Sequence, residues 1–112
     1  MEYINTTKGL LTTRLKLGTY VQVLKQFQTT GIDKFAEEIQ RTINDNERLH
    51  QSIQAMKVTA DLLGAERISF NCQQLSVIRN ATEYTAKIEE LQHICVATKE
   101  AIGKYLIQME SI

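Results

Sequence analysis

Apolar residues recur at steps of three and four along most of this chain, and proline is absent. That pattern predicts amphipathic helices joined by short connections, with no strand. From Tyr20 the apolar stripe runs through Leu24, Phe27, Gly31, Phe35, Ile39 and Ile43, which share one face if a helix continues through Gly31. Thr29, Thr30 and Gly31, with Asp33 just beyond, offer the opposite choice of ending one helix and capping another. A glycine inside a helix costs about 1 kcal/mol against alanine. Asn44, Asp45 and Asn46 cluster residues that cap helices, so a tight connection is expected there, with Asp45 or Asn46 as N-cap and the next helix starting near Glu47.

That next helix buries Leu49, Ile53, Met56, Ala60 and Leu63, spaced four, three, four, three. At about 100° per residue, His50, Gln54, Lys57, Val58 and Asp61 then project away from the buried stripe. Gly64 stands where a left-handed cap is commonest, and Ala65-Glu66-Arg67 restarts a helix that buries Ile68, Cys72 and Leu75. From about Thr82 a last helix carries Tyr84, Ile88, Leu91, Cys95, Thr98, Ile102, Tyr105 and Met109 at continuous heptad spacing. The fold class expected is all-α, an antiparallel up-and-down helical bundle. No Pro/Gly/Ser linker divides the chain, so residues 1–112 read as one domain.

Charge narrows the range of partners. Thirteen basic and thirteen acidic residues cancel, and no Lys/Arg run forms a stripe able to track phosphates, so no nucleic-acid partner is expected. No apolar segment is long enough for export or for a membrane span, which predicts a cytoplasmic protein without membrane partners, and a monomer is expected. Cys72 and Cys95 have no paired metal-ligand spacing and fall on apolar helix positions, so they read as small buried hydrophobes with reduced thiols. A glycine-rich phosphate loop, an HExxH motif, a Cys/His pair and a carboxylate cluster are all missing, so no catalytic residue, metal or cofactor is expected.

The stretch from His50 to Gln74, HQSIQAMKVTADLLGAERISFNCQQ, nevertheless has an ordered set of positions. It resembles the histidine phosphotransfer (HPt) domain family, whose motif places a histidine on a helix, a lysine three residues on, glycine and small residues next, and then a Gly-Ala turn. On that pattern Gln54 takes the histidine position, Lys57 the lysine, Val58 the glycine, Thr59 and Ala60 the small residues, and Gly64-Ala65 the turn. The resemblance extends to the flanking helices. It implies one long, bent helix through Gly31, a four-helix bundle, and a short N-terminal helix around Ile4, Leu10, Leu11, Leu15 and Leu17 that covers one end.

Two departures from the motif change what the resemblance implies. An imidazole nitrogen can attack a phosphoryl group, whereas a carboxamide nitrogen is not nucleophilic, so Gln54 cannot carry phosphate by that route. Val58 fills space that the family's glycine leaves open for a receiver domain's aspartyl site. The expected function is therefore non-catalytic. A pseudo-phosphotransfer protein would dock on the receiver domain of a response regulator or hybrid histidine kinase through His50, Gln51, Gln54, Lys57, Val58 and Asp61. Two alternatives stand beside it. One is a bundle with a structural or assembly role, associating through its N-terminal leucines. The other is an active phosphotransfer protein using His50, although Ile53, a core position, occupies the place three residues on where the lysine belongs.

Overall fold

A computed structural model describes residues 1–111 as an all-helical chain with no strand. Ile112, the last residue of the span read as one domain, lies outside the described residues. The helices are α1 (Thr6–Thr13), α2 (Leu17–Gln26), α3 (Ile32–Arg41), α4 (Asn46–Leu63), α5 (Glu66–Leu75) and α6 (Ala81–Glu110), with a π-helical turn over Phe27–Gly31 between α2 and α3. At about 1.5 Å rise per residue, α6 is about 45 Å long, which matches the longest dimension of the molecule, 47 Å. α4 packs between α3 and α5, α5 packs on α6, and α6 returns against α2, the π-turn and α3. α2 and α3 run antiparallel to α6, because Gln28 lies beside Gly103, Asp33 pairs with Lys99, and Ile39 borders the same cavity as Ile88 and Leu91.

Residues 17–41 form one continuous helix, because Gln26, Gly31 and Ile32 all keep right-handed helical backbone angles. The π-turn alters its buried stripe. It inserts one extra residue, with the Ile32 N–H bonding the Phe27 carbonyl, so the core steps from Phe27 to Ile32 instead of Gly31. The stripe expected through Gly31 is corrected on this point: Leu24, Phe27, Ile32 and Ile39 are buried, Gly31 is half-buried, and Phe35 packs partly on the core. Hydroxyls of Thr29 and Thr30 satisfy the carbonyls of Lys25 and Gln26 beside the widened turn.

The α3–α4 and α4–α5 connections follow from their residues. Asp45 N-caps α4, its carboxylate accepting from the Arg48 N–H at 3.2 Å. Gly64 closes α4 with φ 88°, and its N–H bonds the Ala60 carbonyl at 3.0 Å. Leu49, Ile53, Met56, Ala60 and Leu63 are buried, as are Ile68, Cys72 and Leu75 on α5. On α6 the buried residues are Ile88, Leu91, Cys95, Thr98 and Ile102, with Tyr84 and Tyr105 packed partly on the core.

α1 lies across the C-terminal end of α4 and the start of α2. Its attachment is mostly backbone. The Asn5 N–H donates to the Gly64 carbonyl at 2.7 Å, and Gly9 lies so close to Tyr20 and Leu63 that a Cβ there would overlap the Tyr20 hydroxyl and the Leu63 carbonyl. The fully buried Tyr20 hydroxyl in turn donates to that carbonyl at 2.6 Å. Burial, with the Tyr105 hydroxyl nearby, pushes the Tyr20 pKa up to about 12, so it stays a proton donor. Ile4, Leu10 and Leu15 pack against the core under this cover, while Leu11 and Leu17 remain exposed.

Candidate functional site

The outward face of α4 holds the motif positions. Val58 is 55 % exposed, and His50 and Gln51 are also exposed. Gln54, Lys57 and Asp61 are half-buried. Helical geometry accounts for this arrangement. Positions 54, 58 and 61 lie within one narrow sector opposite the stripe of Leu49, Ile53, Met56, Ala60 and Leu63. Lys57 is rotated toward α5.

Lys57 is not a free cation. Its ammonium donates to the Asp61 carboxylate at 3.1 Å, one turn further along α4. The other carboxylate oxygen of Asp61 accepts from the Ser69 hydroxyl on α5. Burial pushes the Asp61 carboxyl up, but the hydrogen bonds from Ser69 and Lys57 and the charges of Lys57 and Lys8 outweigh it and hold the group below the usual carboxylate range. Lys57, Asp61 and Ser69 thus form a chain from α4 to α5, and the net charge at its centre is zero.

A pH dependence follows. The folded pKa of Asp61 lies below its unfolded value, so its contribution to stability is present above pH about 4 and is lost as pH falls through the folded value. Because Asp61 is 42 % exposed at its side chain, the effect is small, less than about 1 kcal/mol. Urea unfolding should find Asp61→Asn less stable than the native chain by that amount at neutral pH, with the difference shrinking as pH falls below about 4.

Chemically, this arrangement opposes phosphoryl transfer at Gln54. The carboxamide is no nucleophile, and Lys57, the cation at the motif's lysine position, is paired with the Asp61 carboxylate. His50 lies seven residues before Lys57, about 10 Å along the axis, and borders a cavity of about 750 Å³ at the end of the molecule opposite α1. The residue three after it, Ile53, is buried. His50 therefore lies one turn before Gln54 but about two turns from Lys57, and the structure does not bring it together with Lys57.

No family model, no curated protein and no solved structure matches this chain. Its chemistry is therefore read from its own residues.

Three residues at this face, Ala55, Leu62 and Ser69, were not selected from the sequence. Leu62, 44 % exposed, follows Val58 by one turn; with the exposed Ala55 it makes an apolar lane beside Gln51 and Gln54. The i, i+4 step from Val58 is a signal that could have found it. Ser69 was harder to find, because its role depends on how α5 sits against α4. Its only sequence trace is a small polar residue inside the buried register of α5.

Among the described residues no group of three or more His, Cys, Asp or Glu side chains could hold a metal ion, and no helix is long and apolar enough to cross a membrane. Cys72 and Cys95 are buried and free. Burial first, aided at Cys72 by the neighbouring Cys95 and at Cys95 by Asp33, pushes both thiols up to about 12, so neither is a ready nucleophile. His93 is exposed on α6.

Proposed function

We propose that this chain is a histidine-phosphotransfer-type four-helix bundle that has lost phosphoacceptor chemistry and acts by occupying the docking face of a receiver domain. The partner would be the receiver of a response regulator or of a hybrid histidine kinase. The observation that carries this reading is the exposed α4 face centred on Gln54, with Lys57 at its family position and the Gly64-Ala65 turn closing the helix. Val58, Leu62 and the stem of Lys57 supply apolar contact. Gln54 supplies a neutral donor and acceptor where the histidine would stand.

Lys57 has a conditional part. A half-buried i, i+4 helix pair of this kind contributes only about 0.3–0.5 kcal/mol, so an acidic aspartyl pocket can draw the ammonium away from Asp61. Asp61→Asn, which releases Lys57, should tighten receiver binding several-fold and steepen its dependence on salt; a loss of affinity in that variant would contradict the role given to Lys57.

Regulation follows from mass action. The chain lowers phosphoryl flux through a receiver according to its concentration relative to the dissociation constant, and no covalent intermediate is needed. The test is complex formation between the native chain and receiver domains from its own genome, with an authentic phosphotransfer protein measured in parallel. Saturable binding to at least one receiver is expected. Binding by the control alone, at concentrations where the native chain binds none, would reject the proposal.

A second reading rests on Leu11 and Leu17, which are 74 % and 46 % exposed at the N-terminal end. A bundle with an assembly role would associate through these side chains. Sedimentation would separate the readings: association abolished by Leu11→Lys, with no receiver binding, favours assembly.

A further inference from the structure

Asn71 on α5 is 1 % exposed, yet neither its Nδ2 nor its Oδ1 has a hydrogen-bond partner among the described residues. Buried carboxamides in folded proteins are nearly always paired, so an unused donor and acceptor on one side chain mark a place where another molecule completes the bonding. Asn71 lines a groove of about 430 Å³ between α5 and α6, walled on its apolar side by Phe70 and Ile94 and reached at one end by Met1. Phe70 is 46 % exposed.

The same helix already grips peptide main chain. The Arg67 guanidinium donates through Nε to the Met1 carbonyl at 3.0 Å, the Glu2 N–H donates to the Glu66 carboxylate at 3.3 Å, and the Arg67 guanidinium lies 4.4 Å from the centre of the Tyr3 ring. Asn71 stands one turn after Arg67, so the two share a face of α5. The chain's own non-helical N-terminal residues therefore reach the groove along a row of side chains that hold backbone, and the next member of that row is the unpaired carboxamide.

We infer that the α5–α6 groove binds an extended peptide segment of a partner protein, Asn71 bonding the N–H and the C=O of one of its residues. In extended backbone the two groups of a residue point the same way, which is the pairing a carboxamide offers. A neighbouring apolar side chain of the peptide sits between Phe70 and Ile94. Lys87 and Glu90 pair with each other at 2.8 Å on the same groove, so they favour no charge on the peptide. The Asn71 amide is closed to solvent, and a lining side chain must move to admit the peptide; the Lys87–Glu90 contact opens at little cost. This site lies apart from the α4 face and does not depend on the receiver-docking reading.

The probe is acetyl-leucine N-methylamide, which carries two peptide units and one apolar side chain, titrated into the isotopically labelled full chain and followed by NMR. Saturable shifts are expected at the Asn71 side-chain amide, Phe70 and Ile94. Asn71→Leu should bind about tenfold more weakly while melting at a higher temperature, because it removes two unpaired polar atoms. Phe70→Ala, a surface change that leaves the core intact, should also weaken binding. Absence of saturable shifts, shifts scattered over the surface, or equal binding by Asn71→Leu would overturn the inference; a lower melting temperature in Asn71→Leu would instead give the carboxamide to internal water and overturn it equally.

Discussion

Gly64→Val should destabilise the protein by about 3 kcal/mol or more and lower its melting temperature by more than about 10 °C. Two costs combine. Gly64 has φ 88°, in the left-handed region, where a residue with a Cβ loses about 1–2 kcal/mol and a β-branched one fits worst. A Cβ at this position would also overlap the Asn5 carbonyl oxygen and come within 3.2 Å of the Gly9 N. These are backbone atoms and cannot rotate away. Relief requires α1 to lift, which breaks the Asn5-to-Gly64 hydrogen bond and uncovers Leu63 and Tyr20. Thermal unfolding followed by circular dichroism measures the effect, with Gly64→Ala expected between the variant and the native chain. Unfolding of Gly64→Val together with the native chain would mean that α1 is not held on α4 in this way.

Val58→Asp should weaken receiver binding by about tenfold or more while leaving the melting temperature essentially unchanged. The side chain is 55 % exposed and contributes little to the core, so surface substitution costs the fold less than about 0.5 kcal/mol. At a docking face the same change removes the apolar contact of a valine, worth up to about 1.5 kcal/mol when covered. It also sets a carboxylate one turn from Asp61 and toward an acidic aspartyl pocket, where like charges repel. Each 1.4 kcal/mol is about tenfold in the dissociation constant. Isothermal titration of the receiver that binds the native chain decides the matter. Equal affinity in Val58→Asp would move the docking face off α4.

Most of the architecture was legible because it is written in local rules. The stripe of Leu49, Ile53, Met56, Ala60 and Leu63 set the buried side of α4 and Gly64 its end, while its start was narrowed to Asp45 or Asn46 as N-cap, of which the structure uses Asp45. The register beyond Phe27 was not legible. A π-turn leaves no periodic signature, and only the packing of Ile32 against the other helices shows that the step is five residues. The site divides in the same way. That Gln54, Val58 and Asp61 share a side of α4 is a matter of helical spacing, and the Lys57–Asp61 pair was open to the i, i+4 rule. The Ser69 bond to Asp61 and the unpaired Asn71 depend on how α5 sits against its neighbours, which no single-helix pattern contains.

The most direct test of the central claim is phosphoryl transfer from radiolabelled phosphorylated receiver domains to the native chain and to its Gln54→His/Val58→Gly variant, with complex formation followed alongside. The native chain should bind a receiver and take no label, whereas the double variant, which restores a nucleophilic imidazole and opens the space beside it, should become labelled in an acid-labile, base-stable form. Labelling of the native chain would contradict the account and direct attention to His50.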